Sequence, residues 1–360
     1  MSDENRSPTI DYLRAFSILW VLAYHFVPLG IFSKGTDGVL LFFIISGYCI
    51  AVSSATSTSA WHFYAKRLGR LLPALVVCSF ITTALKHISP GLIEPNRLLS
   101  WWEMAYTWVA LPTLNLLHIG YHWPDLAYRS LEIEFHFYAL VFVVMLLGLR
   151  RHLLLAVCGY VFTKVCLLQG LQTNFDFYPF FIAGLSVASL NAGRSLPGWF
   201  GISFAVLLDL YFLVRGFQEP SAPIEWSRSA VLWAGTAALI AAIKIRPPDP
   251  VRRMLRPLAY VGLVSYPLYL IHQDVGNMLL RLMGVPYIDM PFPTSFRLLL
   301  VPPFFIAVAG LVHAFVERPL IAPLTGLLSG KRKPEKVART IASAAGVEDR
   351  AQMNAGFTID

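Results

Sequence analysis

Charge is what this chain of 360 residues has least of: Asp, Glu, Lys and Arg make up 14% of it, against roughly a quarter in soluble domains. Hydrophobic residues make up 56%, and the mean hydropathy is +0.59. That balance excludes an ordinary soluble enzyme. The many apolar runs near the ~20 residues needed to cross a bilayer imply an all-α, polytopic membrane helical bundle. Cysteine is scarce as well. Cys49, Cys78, Cys158 and Cys166 all lie in apolar stretches and no two make a close metal-type pair. This argues against a disulfide framework or a zinc site and leaves them as small buried apolar residues. No metal site is expected. The first ten residues lack a basic start followed by an apolar run and a small-residue cleavage site, so the first span is expected to serve as its own insertion signal.

The hydropathy pattern predicts ten spans, at about 11–31, 38–54, 71–88, 131–149, 153–170, 177–191, 197–214, 229–245, 257–279 and 298–316. Their connections alternate in charge. One set holds Lys66, Arg67 and Arg70, then Arg150 and Arg151, Arg194, the run from Lys244 to Arg256, and Lys331 to Lys336. By the positive-inside rule this set is cytoplasmic, which puts both termini in the cytoplasm. The net charge of +8 is then mostly a topology signal, and no nucleic-acid partner is expected. Residues 98–123 are apolar and aromatic enough for a further span, but counting them would invert every later loop. They read as an outer-face segment at headgroup level, where Trp and Tyr concentrate. Residues 1–330 form the membrane domain, and the polar stretch 331–360 reads as a loose cytoplasmic tail.

Ionisable residues inside spans are costly, so each marks a site or a buried partner. The first span carries Arg14 and His25, the fourth Glu132, Glu134 and His136, the ninth His272 and Asp274, and the tenth His313 with Glu317 at its end. Arg14 and His25 are eleven residues apart, which returns them to within about 20° of one helix face, about 16 Å apart along the axis. An arginine at the membrane surface suits a phosphate. A deeper histidine suits proton abstraction from a hydroxyl or attack on an acyl group. Arg67 and Arg70 share a face three residues apart and suit either phosphate or positive-inside anchoring. The pair Ser46-Gly47 permits close helix approach and equally suits a substrate wall. Glu132 and His136 have the i, i+4 spacing of a side-chain pair. A transporter or sensor would also place ionisable groups in its spans, though without a visible repeat this remains the alternative.

Taken in order, these stretches resemble the membrane acyltransferase 3 family, the multi-pass O-acyltransferases of cell-surface glycans. The matching segments are DYLR with His25, FFIISGY at 42–48, Arg67 and Arg70 before Pro73, SLEIEFHFY at 130–138, SYPLYLIH at 265–272 and ERP at 317–319. The sequence departs from the family pattern at Arg129 and Ile271, where tryptophan is expected, and in the extra acid Glu132. The resemblance implies an O-acetyltransferase of a bacterial inner membrane. It would use cytoplasmic acyl-CoA, most often acetyl-CoA, as donor substrate with no permanently bound cofactor. The acceptor would be a glycan or lipid-linked saccharide hydroxyl. On this reading Arg14, Arg67 and Arg70 hold the CoA phosphates. His25 is general base or acyl carrier, and Glu134 orients or charge-balances a partner. Ser46, Glu132, His136 and His272 line the substrate path.

Overall fold

The computed structural model describes residues 8–27, 34–93, 97–114, 122–167, 175–217, 226–245, 247–284 and 301–330. Among them are fifteen α-helices and no strand. Helix α1 covers Pro8–Phe26 and α2 covers Gly38–Thr56. Helix α3, Ala60–Ile88, starts where the Ser59 side chain accepts from the His62 N–H; its 29 residues give about 43 Å at 1.5 Å each. The chain continues through α4 (Trp101–Ala110), α5 (Tyr128–Leu146), α6 (Leu153–Phe162), α7 (Tyr178–Asn191), α8 (Ser195–Phe217) and α9 (Trp226–Lys244). The later helices are α10 (Asp249–Met254), α11 (Arg256–Leu263), α12 (Ser265–Ile271), α13 (Gln273–Leu282), α14 (Val301–Val312) and α15 (Arg318–Leu328).

The count of spans differs from the sequence reading. Five helices, not ten, are long and apolar enough to cross a membrane among the described residues: Gly38–Thr56, Ala60–Ile88, Ser195–Arg215, Trp226–Lys244 and Val301–Leu328. The other expected spans are polar, short or broken. Helices α1 and α5 carry the ionisable residues. Helix α7 has 14 residues, and the expected span 257–279 is divided among α11, α12 and α13. Their surroundings explain this. Helix α7 is buried along most of its length between α2 and α8, and a helix sheathed by protein need not match the hydrocarbon by itself.

Helices α2 and α7 approach backbone to backbone. A Cβ on Gly47 would stand 2.2 Å from the Phe181 carbonyl oxygen, and one on Gly184 would stand 2.0 Å from that of Ile44. Glycine at these two positions lets the backbones touch, and this holds the Ser46 face of α2 in place. Helix α11 packs on α1, and α15 on α3.

The segment 98–123 holds α4, whose 10 residues reach only about 15 Å and cannot span. Its start is a capping box, Ser100 with Glu103. Trp108 Nε1 ties it to α3 by donating to Ser79 Oγ at 2.8 Å. The remainder of that segment at 115–121 and the expected tail 331–360 lie outside the described residues.

Candidate active site

A small cavity of about 80 Å³, open at its mouth, lies among α1, α2, α3, α5 and α12. Three guanidiniums face it: Arg14, Arg67 and Arg70. Arg14 pairs with Asp11 one turn earlier at 3.1 Å and donates to Cys49 Sγ at 3.3 Å. Arg67 donates to the Cys49 carbonyl at 2.7 Å. Its guanidinium lies 5.7 Å from the Phe63 ring centre and 5.6 Å from that of Tyr138, within cation–π range. Arg67 is only 7% exposed, yet its Nε has no hydrogen-bond partner. A buried donor left over in this way is a place for an anion to bind.

The same cavity carries acidic and hydroxyl groups. Glu134 Oε1 accepts from Ser46 Oγ at 2.7 Å and from the Tyr138 hydroxyl. Ser130 Oγ and the Tyr269 hydroxyl are 2.8 Å apart, and both line the cavity. A carboxylate facing three arginines in low dielectric keeps their mutual repulsion down and fixes where they point.

Five of the sequence candidates therefore meet in one place: Arg14, Ser46, Arg67, Arg70 and Glu134. Glu132 and His136 do not line it. Two residues along a helix turn the side chain by about 200°, so they point away from the Glu134 face. The expected Glu132–His136 side-chain pair takes another form, in which the His136 ring nitrogen Nδ1 donates to the Glu132 backbone carbonyl at 2.7 Å.

His25 and His272 stand beyond the cavity. Their ring centres are 5.0 Å apart, and the His272 ring lies 5.3 Å from that of Tyr269, which is itself a cavity wall. Ring contacts run from the cavity wall at Tyr269 through His272 to His25.

Next to this pair is a buried ion cluster. Asp274 pairs with Lys86 at 2.6 Å and with Arg97. Asp125 accepts from the Asp274 backbone N–H at 2.9 Å. Burial, with the Asp274 carboxylate beside it, pushes Asp125 above the usual carboxylate range. Lys86 also donates to the Pro124 carbonyl at 2.7 Å. Elsewhere, the His313 ring and the Glu317 carboxylate meet at 2.6 Å in a π-turn between α14 and α15. Among the described residues, no group of three or more His, Cys, Asp or Glu stands close enough to hold a metal ion.

Sequence reasoning missed several of these residues. Cys49 is not merely a small apolar residue; it is half-buried at the cavity wall between two arginines. Its spacing from Ser46, three residues along one helix, is the signal that was available. Tyr138 and Tyr269 belong to the quoted segments but carry no charge to attract notice. Lys86 and Arg97 are brought to Asp274 only by the tertiary fold.

The family model of an acyltransferase domain matches residues 8–314. O-acetyltransferase OatA of Staphylococcus aureus (strain NCTC 8325 / PS 47) is 26% identical over 317 residues, covering 74% of this chain and 50% of its own length. YrhL of Bacillus subtilis (strain 168), named as a candidate peptidoglycan O-acetyltransferase, is 24% identical over 359 residues, covering 87% of this chain and 54% of its own. BcsY of Komagataeibacter xylinus, named as a candidate membrane-bound transacylase, is 31% identical over 170 residues, or 41% of this chain and 40% of its own. The chain spans about half the length of the OatA and YrhL proteins it matches. No solved structure matches it.

Proposed function

The chain belongs to the membrane acyltransferase family whose domain model matches residues 8–314, and on that footing we propose that it is an O-acetyltransferase of a bacterial inner membrane, moving an acetyl group from cytoplasmic acetyl-CoA to a hydroxyl of a cell-surface glycan. The observation that carries this reading is the cavity lined by three guanidiniums together with Glu134. Coenzyme A ends in a pyrophosphate and a 3′-phosphate, and planar guanidiniums in fixed positions match such oxygens with paired hydrogen bonds. Arg67 brings an unpartnered Nε to that task.

In this reading the basic connections face the cytoplasm, both termini lie there, residues 1–330 form the membrane domain, and 331–360 follow as a cytoplasmic tail. Arg14, Arg67 and Arg70 hold the phosphates, with Glu134 and Ser46 keeping the arginines and the entering arm in place. The pantetheine arm carries the thioester past Tyr269 toward the imidazoles. There His25 takes the proton of the acceptor hydroxyl while the oxygen attacks the thioester carbon. The carbon–sulfur bond breaks, and the CoA sulfur takes the proton back.

Membranes that hold the full chain and their own surface glycan, supplied with radiolabelled acetyl-CoA, test this. His25→Ala is expected to lower transfer to glycan by about 10²–10⁴-fold, the usual contribution of a positioned acid–base group. Transfer at the original rate would refute the assignment.

A further inference from the structure

Resting on the reading of His25 as the base, we infer that His272 is its positioning residue: His272 Nε2 accepts the His25 Nδ1–H and so leaves His25 Nε2 bare for the acceptor hydroxyl. His272 Nδ1 lies 2.8 Å from the Tyr269 backbone oxygen. A carbonyl only accepts, so Nδ1 carries the hydrogen, and the Nε2 of a neutral His272 must hold a lone pair. That nitrogen is buried and has no partner, and neither has His25 Nδ1. His272 itself is 1% exposed, and leaving a polar atom unpaired at such depth is costly.

The two rings stand edge to face with centres 5.0 Å apart. No hydrogen bond joins the rings in this structure, but centres this close let a turn of either ring bring the two unpartnered nitrogens within hydrogen-bond range. Catalytic hydrogen bonds commonly close only when substrate arrives. The chain of roles is then fixed from one end: Tyr269 carbonyl, His272 Nδ1–H, His272 Nε2, His25 Nδ1–H, His25 Nε2, acceptor hydroxyl. As the hydroxyl proton moves to His25 Nε2, the resulting imidazolium keeps its Nδ1–H on His272. The same proton later passes to the CoA thiolate, which restores neutral His25.

This arrangement also gives the buried ion cluster a purpose. His272 sits at the junction between α12, which ends at Ile271, and α13, which begins at Gln273. Two residues on, Asp274 is held by Lys86 and Arg97 through its side chain and by Asp125 through its backbone. These bonds pin the junction and hence the direction of the His272 ring.

The test uses the same membranes with acetyl-CoA varied. His272→Ala is expected to lower the apparent kcat by at least 10²-fold with KM for acetyl-CoA unchanged. His272→Gln, whose side-chain oxygen still accepts, should recover at least tenfold over alanine. His272→Phe keeps the ring's bulk without an acceptor and should be as slow as alanine, which covers the case in which alanine does not accumulate. The pair His25→Ala with His272→Ala should be no slower than His25→Ala alone, as for residues acting as one unit. Wild-type rate in His272→Ala or His272→Phe, or a glutamine variant no faster than either, would overturn the inference. Should His25→Ala be inactive while His272→Ala runs at full rate, only this inference fails. Full rate in His25→Ala defeats the base assignment itself.

Discussion

Glu134 is the residue on which the polar wall of the cavity depends. It accepts from Ser46 and from Tyr138 while facing three guanidiniums. Glu134→Ala leaves the buried Tyr138 hydroxyl unpaired, at a cost of about 1–3 kcal/mol, and also removes the charge that balances the arginines. Glu134→Gln keeps an acceptor and loses only the charge. Both variants are expected to cut acetyl transfer by at least tenfold, with the alanine form also showing a lower melting temperature. Equal melting temperatures would show that the tyrosine bond contributes nothing. A second residue-scale prediction concerns pH. The Glu103 carboxylate accepts from the His122 ring and from the Ser100 backbone N–H, which holds it near 2, below its ordinary 4.5. A depressed folded value contributes stability that is complete above the ordinary range and is lost as pH falls toward about 2. Tryptophan fluorescence of α4, which contains Trp101, Trp102 and Trp108, should hold steady down to about pH 4.5 and change below it. In Glu103→Gln that acid-dependent change should disappear.

Helices and their junctions decide how much of this was legible. The Arg67-x-x-Arg70 spacing put two guanidiniums on one helix face, while Ser46 was readable equally as a packing notch and Glu134 only through the family resemblance; all four line the cavity. Gly47 was likewise readable as a close-packing position, and the Phe181 carbonyl 2.2 Å from its virtual Cβ is the reason. Gly184→Ala, meeting the Ile44 carbonyl at 2.0 Å, should force α2 and α7 apart. The expected loss is about 1–3 kcal/mol, read as a lower melting temperature, and an unchanged value would mean that the two helices slide freely. The ion cluster was not legible. Lys86, Arg97, Asp125 and Asp274 come from four separate segments, and no local period connects them. Asp274→Ala strands Lys86, which is 1% exposed. Removing one partner of such a pair costs about 3–5 kcal/mol, so this variant should accumulate poorly, and normal accumulation would contradict the pinned junction.

For the molecule as a whole, composition alone was enough to identify a polytopic helical bundle, but not how the bundle meets the bilayer. Hydropathy counts apolar length, so it read α7 and the divided 257–279 stretch as full spans. Their lengths are set instead by the protein packed around them. The same limit applies to the path between donor and acceptor sites. Periodicity set Arg14 and His25 on one face of α1, whereas the contact of His272 with both His25 and Tyr269 is a property of the assembled bundle. The central claim is that the guanidinium cavity is the donor site. Its most direct test is equilibrium binding of acetyl-CoA to the full chain in detergent, comparing the wild type with the double variant Arg67→Gln/Arg70→Gln. Charged hydrogen bonds are worth about 1.5–3 kcal/mol each, so Kd should rise by about 10²-fold or more, and an unchanged Kd would mean that acetyl-CoA binds elsewhere.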